Sequence, residues 1–213
     1  MARTETGRVE AFSDGVFAIA MTLLVLDLKV PHDLAPGQTL MGALVAEWPT
    51  FLAFVTSYAT ILIMWVNHHR LFAHIGRWDD RLLFSNGLLL FGVVVLPFTT
   101  SLVATYLDRP GHEAAAMVYN GIFVLIAVCY NVLWRSASRG GRLLGPDHDP
   151  DIVRQITDSY RWGPLIYAVV FVVGIASVTV SLLLNLALAL YFALPSALAA
   201  HIARRGRSVP RTD

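Results

Sequence analysis

Apolar residues in this chain come in long runs, not in the alternation of a half-buried strand. The first extends from Arg8 to Pro31, RVEAFSDGVFAIAMTLLVLDLKVP. At ~1.5 Å per helical residue it is long enough to cross the ~30 Å hydrocarbon core of a bilayer. The second opens at Trp48-Pro49, where proline suits a first helical turn, and ends near His69. The third, Leu82 to Leu107, carries no charge and predicts a helix kinked at Pro97. A fourth covers about Ala114 to Trp134. From Trp162 to Ile202 no charged residue occurs, which is too long for one crossing and predicts two spans joined by a tight turn near Thr179–Asn185. The pattern therefore predicts an all-α integral membrane protein with six transmembrane helices, over residues 8–30, 48–69, 82–107, 114–134, 162–180 and 184–203. Leu40 to Ala46 reads as a short interfacial helix, residues 135–161 as a polar cytoplasmic loop, and residues 204–213 as a basic tail. Residues 1–213 form a single domain in this reading.

Charge placement tests the count independently. With the N-terminus inside, fourteen of the sixteen basic residues fall on cytoplasmic segments, and only Lys29 and Arg109 fall outside. The positive-inside rule then supports six spans with both termini cytoplasmic. Composition agrees: 56% hydrophobic, 15% charged and a mean hydropathy of +0.60 exclude an ordinary soluble domain. The net charge of +1 points to no nucleic acid. Cys129 is the single cysteine and lies in an apolar run, so no intrachain disulfide forms and packing explains it. The first run is too long, and too polar at its start, for a signal peptide, and no lipidation signal is evident. The preference for arginine over lysine hints at a bacterial source and a plasma-membrane location.

Candidate chemistry concentrates in few places. His68, His69 and His74 tempt a metal reading, but His69 and His74 are five apart and no glutamate lies between them as in H-E-x-x-H. Hydrogen bonding within the bundle explains them more simply, and no metal or cofactor is expected. Ser177, Thr179 and Ser181 read as interhelical glue, since no G-x-S-x-G turn surrounds them. The Asp147, His148, Asp149 and Asp151 cluster belongs to a solvated linker. Asp14 is more demanding, because a carboxylate inside the membrane costs on the order of 2.5–3.5 kcal/mol on insertion scales. A group kept at that cost needs a partner or a role.

A helical wheel separates the first span into faces. With Asp14 at 0° and ~100° per residue, Leu26 falls at about 120°, Ile19 at about 140° and Leu23 at about 180°. Phe12 and Val30 extend this apolar stripe, both at about 160°. If the stripe faces an axis, Ser13, at about 260°, and Asp14 face away from it, toward the subunit's other helices; from periodicity alone the stripe also fits ordinary helix packing or lipid contact. Asp27, at about 220°, either supplies charge at an outer mouth or snorkels beside Lys29.

The run Arg8-Val9-Glu10-Ala11-Phe12-Ser13-Asp14 resembles the R-x-x-x-F-S-D signature of the transmembrane-protein-175 family, the endolysosomal potassium channels and their prokaryotic relatives. Gly15-Val16-Phe17-Ala18-Ile19, Trp65-Val66-Asn67-His68-His69-Arg70-Leu71-Phe72, Asn86 and Leu96-Pro97-Phe98 resemble the family as well. The likeness covers the first three spans well and the last three by hydropathy and topology. It implies a homotetramer, since prokaryotic members carry one six-helix repeat, with the first helix of each subunit lining a central pore. It also implies a constriction of bulky apolar side chains in place of a T-V-G-Y-G filter. The isoleucine five residues after the motif aspartate is Ile19 here, followed by Leu23 and Leu26, with Thr22 flanking the stripe. Ala18 stands where some members carry serine, which removes a hydroxyl from that layer.

Together these readings predict a passive potassium-permeable channel, not an enzyme, in which rings of Ile19, Leu23 and Leu26 gate by dewetting. Its partners are its own copies, the lipid bilayer and permeant potassium ions. Arg8, Phe12, Ser13, Asp14, His68, His69 and Asn86 are assigned to the signature motif and to a buried polar network that fixes the first helix's rotation. The alternative is a secondary transporter using Asp14 as a proton or cation site, although no inverted repeat supports it. An intramembrane enzyme built on the histidines is a third class and needs a bound metal.

Overall fold

The computed structural model describes residues 3–31, 34, 36–146 and 148–191. Helices dominate: α1 (Arg3–Leu23), α2 (Leu40–Ala46), α3 (Trp48–Phe72), α4 (Asp80–Tyr106), α5 (His112–Ser138), α6 (Pro150–Arg161), α7 (Gly163–Ala176) and α8 (Val178–Tyr191). Two 3₁₀ turns, Leu24–Asp27 and Arg139–Gly141, follow α1 and α5. Among the described residues five segments are long and apolar enough to cross a membrane: Thr6–Asp27, Trp48–Phe72, Asp80–Tyr106, His112–Gly141 and Pro150–Ala176. The shorter α8 is also apolar.

Local chemistry explains the boundaries. Thr39 caps α2, its hydroxyl accepting from the Gly42 N–H at 3.1 Å. Asp79 caps α4 in the same way, accepting from the Leu82 N–H at 2.9 Å, and Pro49 occupies the first turn of α3. The α4 helix runs through Pro97, beyond which the Thr99 and Thr100 hydroxyls both bond the Leu96 carbonyl.

Three expectations are corrected. The first helix ends at Asp27, because Leu28 turns extended (φ −76°, ψ 92°), so residues 28–30 are not part of it. The break between the last two helices falls at Ser177 (φ −156°, ψ 112°), and Thr179–Asn185 is helical. Ser177 begins α8 itself: its carbonyl accepts from the Ser181 N–H at 3.1 Å and its hydroxyl from Val180 at 3.4 Å. Finally, residues 135–161 are not a loop. The α5 helix continues to Ser138, and Asp149 and Pro150 start α6. Val153, Ile156 and Tyr160 recur at helical spacing on α6 and pack against the core, while Asp151, Arg154 and Asp158 stay outward. The tail at 204–213 and the expected span beyond Tyr191 lie outside the described residues.

Helix α4 occupies the middle of the bundle, packing against α1, α3 and α5, and α5 in turn packs against α7. The close approach of α4 and α5 depends on Gly92, where a Cβ would lie 2.7 Å from Ile126 Cγ1. At one end of the bundle the α3–α4 and α5–α6 connectors are stapled together. Gly76 and Arg77 donate to the Leu143 carbonyl at 2.9 and 3.1 Å, and Gly145 donates to the His74 carbonyl at 3.0 Å. Arg142 and Asp79 add an ion pair at 2.6 Å.

Candidate pore-lining helix and its polar anchor

One face of α1 is buried and another is bare. Ser13, Phe17, Ala20 and Leu24 are buried against α3 and α4, at spacings of four, three and four residues. On the other side Ile19 is 61% exposed, Leu23 41% and Leu26 71%, with Phe12 similarly uncovered; Val30 is exposed too but lies beyond the helix end, off this face. An apolar row of this length on a helix whose other face is packed is an interaction surface or a lipid contact.

The 3₁₀ turn refines the row. Three residues per turn stack side chains at i and i+3. Leu26 therefore lies over Leu23, at an ideal wheel position of about 180° instead of about 120°. The same tightening carries Asp27 about 120° away from Leu23, off the stripe, where it is half-buried. A mouth-lining position for Asp27 does not follow from this geometry. Thr22 is exposed beside the stripe, but its hydroxyl folds back on the Ile19 carbonyl at 2.9 Å.

Behind the buried face lies a chain of hydrogen bonds. Ser13 Oγ donates to the Val9 carbonyl at 2.8 Å and accepts from Asn86 Nδ2 at 3.0 Å. Asn86 Oδ1 is then the acceptor for His68 Nε2 at 2.8 Å, which fixes the imidazole proton on Nε2. His68 and Asn86 are both buried; the ring stacks on Phe72 at 4.4 Å and meets Phe17 at 5.4 Å. Its Nδ1 has no hydrogen-bond partner. Helices α1, α3 and α4 are thus joined by three side chains.

Asp14 has a different partner from the one expected. Its Oδ1 accepts from the Trp65 indole N–H at 2.8 Å, not from His68, His69 or Asn86. In the sequence Trp65 stands out only as the first residue of the family-like run that ends at Phe72, and its N–H supplies the hydrogen bond to the half-buried carboxylate. The His69 ring is not part of this network; it is exposed and stacks on Trp65 at 6.2 Å. Arg8 is also outside the network. It lies at about 120° on the wheel, on the uncovered side of α1, and is exposed.

Two further polar clusters had no signal beyond isolated amides and hydroxyls in apolar runs. Thr100 donates to Ser57 at 2.7 Å, and Ser57 meets the Tyr119 hydroxyl at 3.3 Å. Asn120 bonds Ser181 at 3.1 Å and accepts from Asn185 at 2.7 Å, locking α5 to α8. Of the expected glue residues, Ser181 is buried in this cluster, Ser177 begins α8 and Thr179 is exposed. Among the described residues, no three His, Cys, Asp or Glu side chains gather as a metal site.

Residues 8–97 match the sequence profile of a family described as endosomal/lysosomal potassium channel TMEM175. A potassium channel of Chamaesiphon minutus is 50% identical over 195 residues, 91% of this chain and 96% of that protein. A potassium channel of Streptomyces collinus is 44% identical over 190 residues, covering 88% of this chain and 91% of that one. The crystal structure of a lysosomal potassium-selective channel TMEM175 homolog from Chamaesiphon minutus matches the fold with a TM-score of 0.81. It is 47% identical in sequence, over 90% of this chain and 97% of that one.

Proposed function

Since the chain belongs to the TMEM175 family, we propose that it is a passive, potassium-permeable cation channel, a homotetramer with α1 of each subunit around a central pore. Each subunit crosses the plasma membrane of a bacterium six times, with both termini in the cytoplasm. The observation that carries this reading is the uncovered row of Ile19, Leu23 and Leu26, opposite a fully packed face of the same helix. The mostly apolar helices described in one subunit offer little polar lining for a hydrated pathway, whereas four copies of one helix around an axis would enclose one. Rings of these side chains exclude water when close and admit hydrated ions when the helices splay.

Ser13, Asn86 and His68, with the Asp14–Trp65 bond beside them, act as the brace that sets the rotation of α1. Asp14 is engaged by Trp65 and lies off the apolar row, so nothing in its surroundings favours a transporter's ion site. The test is flux from liposomes holding purified protein under a potassium gradient. Ile19→Asn should raise flux by wetting the narrowest ring. Unchanged flux in that variant sinks the assignment of the constriction.

A further inference from the structure

Arg8 opens the signature motif yet lies outside the polar network to which the motif's Ser13 belongs. It is exposed on α1, as Asp80 is in the first turn of α4. Among the described residues the ion pair is Asp79–Arg142, so neither Arg8 nor Asp80 takes part in one. Each of these charges stands at the end of a helix face that the subunit's other helices leave uncovered.

On α4 that face is a ridge. With Phe84 at 0° and ~100° per residue, Phe91 falls at about 340°, and Phe98 and Asp80 at about 320°. The three rings are 81%, 58% and 63% exposed. On α1 the face is shallow. Ala11, Gly15 and Ala18 are all exposed, at about 60°, 100° and 40° on the wheel that puts Asp14 at 0°. They flank the row of Ile19 and Leu23 on one side. Ser13, which holds the subunit's own α4, lies on the other side at about 260°. Each subunit therefore carries its ridge on one side of α1 and its shallow strip on the opposite side. Two different patches so placed make a head-to-tail contact, the kind that closes into a ring.

Depth matches as well. The Ser13–Asn86 bond at 3.0 Å sets those two residues level, and with α3 crossing back between them α1 and α4 run in the same direction. Rotation about an axis normal to the bilayer preserves depth, so the same levels hold between neighbouring copies. Equal rises counted from that bond put Ala11 level with Phe84 and Ala18 with Phe91, and Arg8 within about 1.5 Å of Asp80.

We propose that Asp80 and the Phe84–Phe91–Phe98 ridge of one subunit dock on α1 of the next, the rings over Ala11, Gly15 and Ala18 and the carboxylate paired with Arg8. Small side chains let a second helix approach closely within a bilayer. Lipid tails cover phenylalanine rings equally well; opposite charges at one depth on two complementary faces are what select a second copy of this chain. The inference rests on the ring proposed above and names the contact that closes it.

Oxidative cross-linking of the full-length protein in a Cys129→Ser background tests it. Ala18→Cys/Phe91→Cys, treated with copper phenanthroline, should give a ladder up to the tetramer on a non-reducing gel. Either cysteine alone can go no further than a dimer. Ala18→Cys/Phe84→Cys, displaced by about 10 Å in depth, should give no ladder. Arg8→Asp and Asp80→Arg should each shift the protein toward smaller species in native mass spectrometry, and the double exchange should bring the tetramer back. No ladder from the matched pair, an equal ladder from the displaced pair, single exchanges that leave the tetramer intact, or a double exchange that does not restore it overturns the proposal. Copy number separates this contact from the channel reading. A wild-type tetramer without the matched ladder overturns the interface alone, whereas a wild type that is not tetrameric overturns the ring on which both rest.

Discussion

Replacing Asn86 by leucine interrogates the brace at its centre. The amide donates to Ser13 at 3.0 Å and accepts from His68 at 2.8 Å, so both bonds are lost together. The two ends fare differently. Ser13 keeps its own bond to the Val9 carbonyl at 2.8 Å and loses little. His68 loses everything, because Nε2 has no other acceptor and Nδ1 has no partner in the intact protein. Interhelical hydrogen bonds in membrane proteins average only about 0.6 kcal/mol in double-mutant cycles. A fully buried donor left unsatisfied costs about 1–3 kcal/mol, and this second effect dominates. Asn86→Leu should therefore destabilise the fold by about 2–3 kcal/mol, read from reversible unfolding in mixed micelles. If the orphaned N–H is the cause, His68→Phe in the same chain should restore most of the loss. The ring's stacking position on Phe72, at 4.4 Å, suits a phenyl group. No rescue by His68→Phe would refute the reasoning, since the destabilisation would then come from packing around residue 86.

Asp14→Ala should lower flux without changing the potassium-to-sodium ratio, and Trp65→Phe should reproduce it because both remove the same 2.8 Å bond; an altered ratio in either places the carboxylate in the ion path. Gly92→Ala drives a methyl into Ile126 and should cost about 1–3 kcal/mol by overpacking, with Ile126→Ala restoring stability in a thermal-shift assay. Asp79 titrates below the ordinary carboxylate range, first because the Leu82 N–H bonds its charged form and next because Arg142 does. A lowered folded value means the interaction contributes stability above the unfolded value near 3.8 and loses it as pH falls toward the folded one. Thermal stability measured from pH 5 to pH 2.5 should thus show a steeper acid loss in the wild type than in Asp79→Asn.

Much of this arrangement was legible in the chain because hydropathy and helical phase are local properties. The wheel of α1 already separated Ile19, Leu23 and Leu26 from Ser13, and the exposures follow that division. What escaped the wheel was what breaks its assumptions. The 3₁₀ turn at Leu24–Asp27 changes the angular step, which aligns Leu26 with Leu23 and removes Asp27 from the row. Arg8 was grouped with the network through its motif, although its phase on α1 opposes that. Partner identity was the other gap. The Trp65 indole reaches Asp14 across 51 residues of sequence, and nothing in spacing distinguishes it from His68 or His69. The α6 helix was hidden by its charge: Asp149, Asp151, Arg154 and Asp158 read as a linker, while the apolar triplet Val153, Ile156 and Tyr160 is short.

The position of the brace along α1 has a consequence for the proposed gate. Ser13 and Asp14 tie α1 to α4 and α3, and Ile19, Leu23 and Leu26 all lie on one side of that tie. Phe17, Ala20 and Leu24 pack as well, but among the described residues the hydrogen bonds that α1 makes to its neighbours lie at Ser13 and Asp14, and a helix moves least near its most directional attachment. For a tilt of about 10° pivoting at Ser13, Ile19 moves by about 1.6 Å and Leu23 by about 2.6 Å at the α-helical rise. Leu26, carried further by the 3₁₀ turn, moves by about 3.6 Å. In the proposed tetramer the Ile19 ring would therefore widen least as the subunits splay, and the outer rings most. Polar substitution should rank accordingly in liposome flux, with Ile19→Asn raising it most and Leu26→Asn least. The opposite ranking places the pivot at the other end of α1 and removes the brace from the gating mechanism.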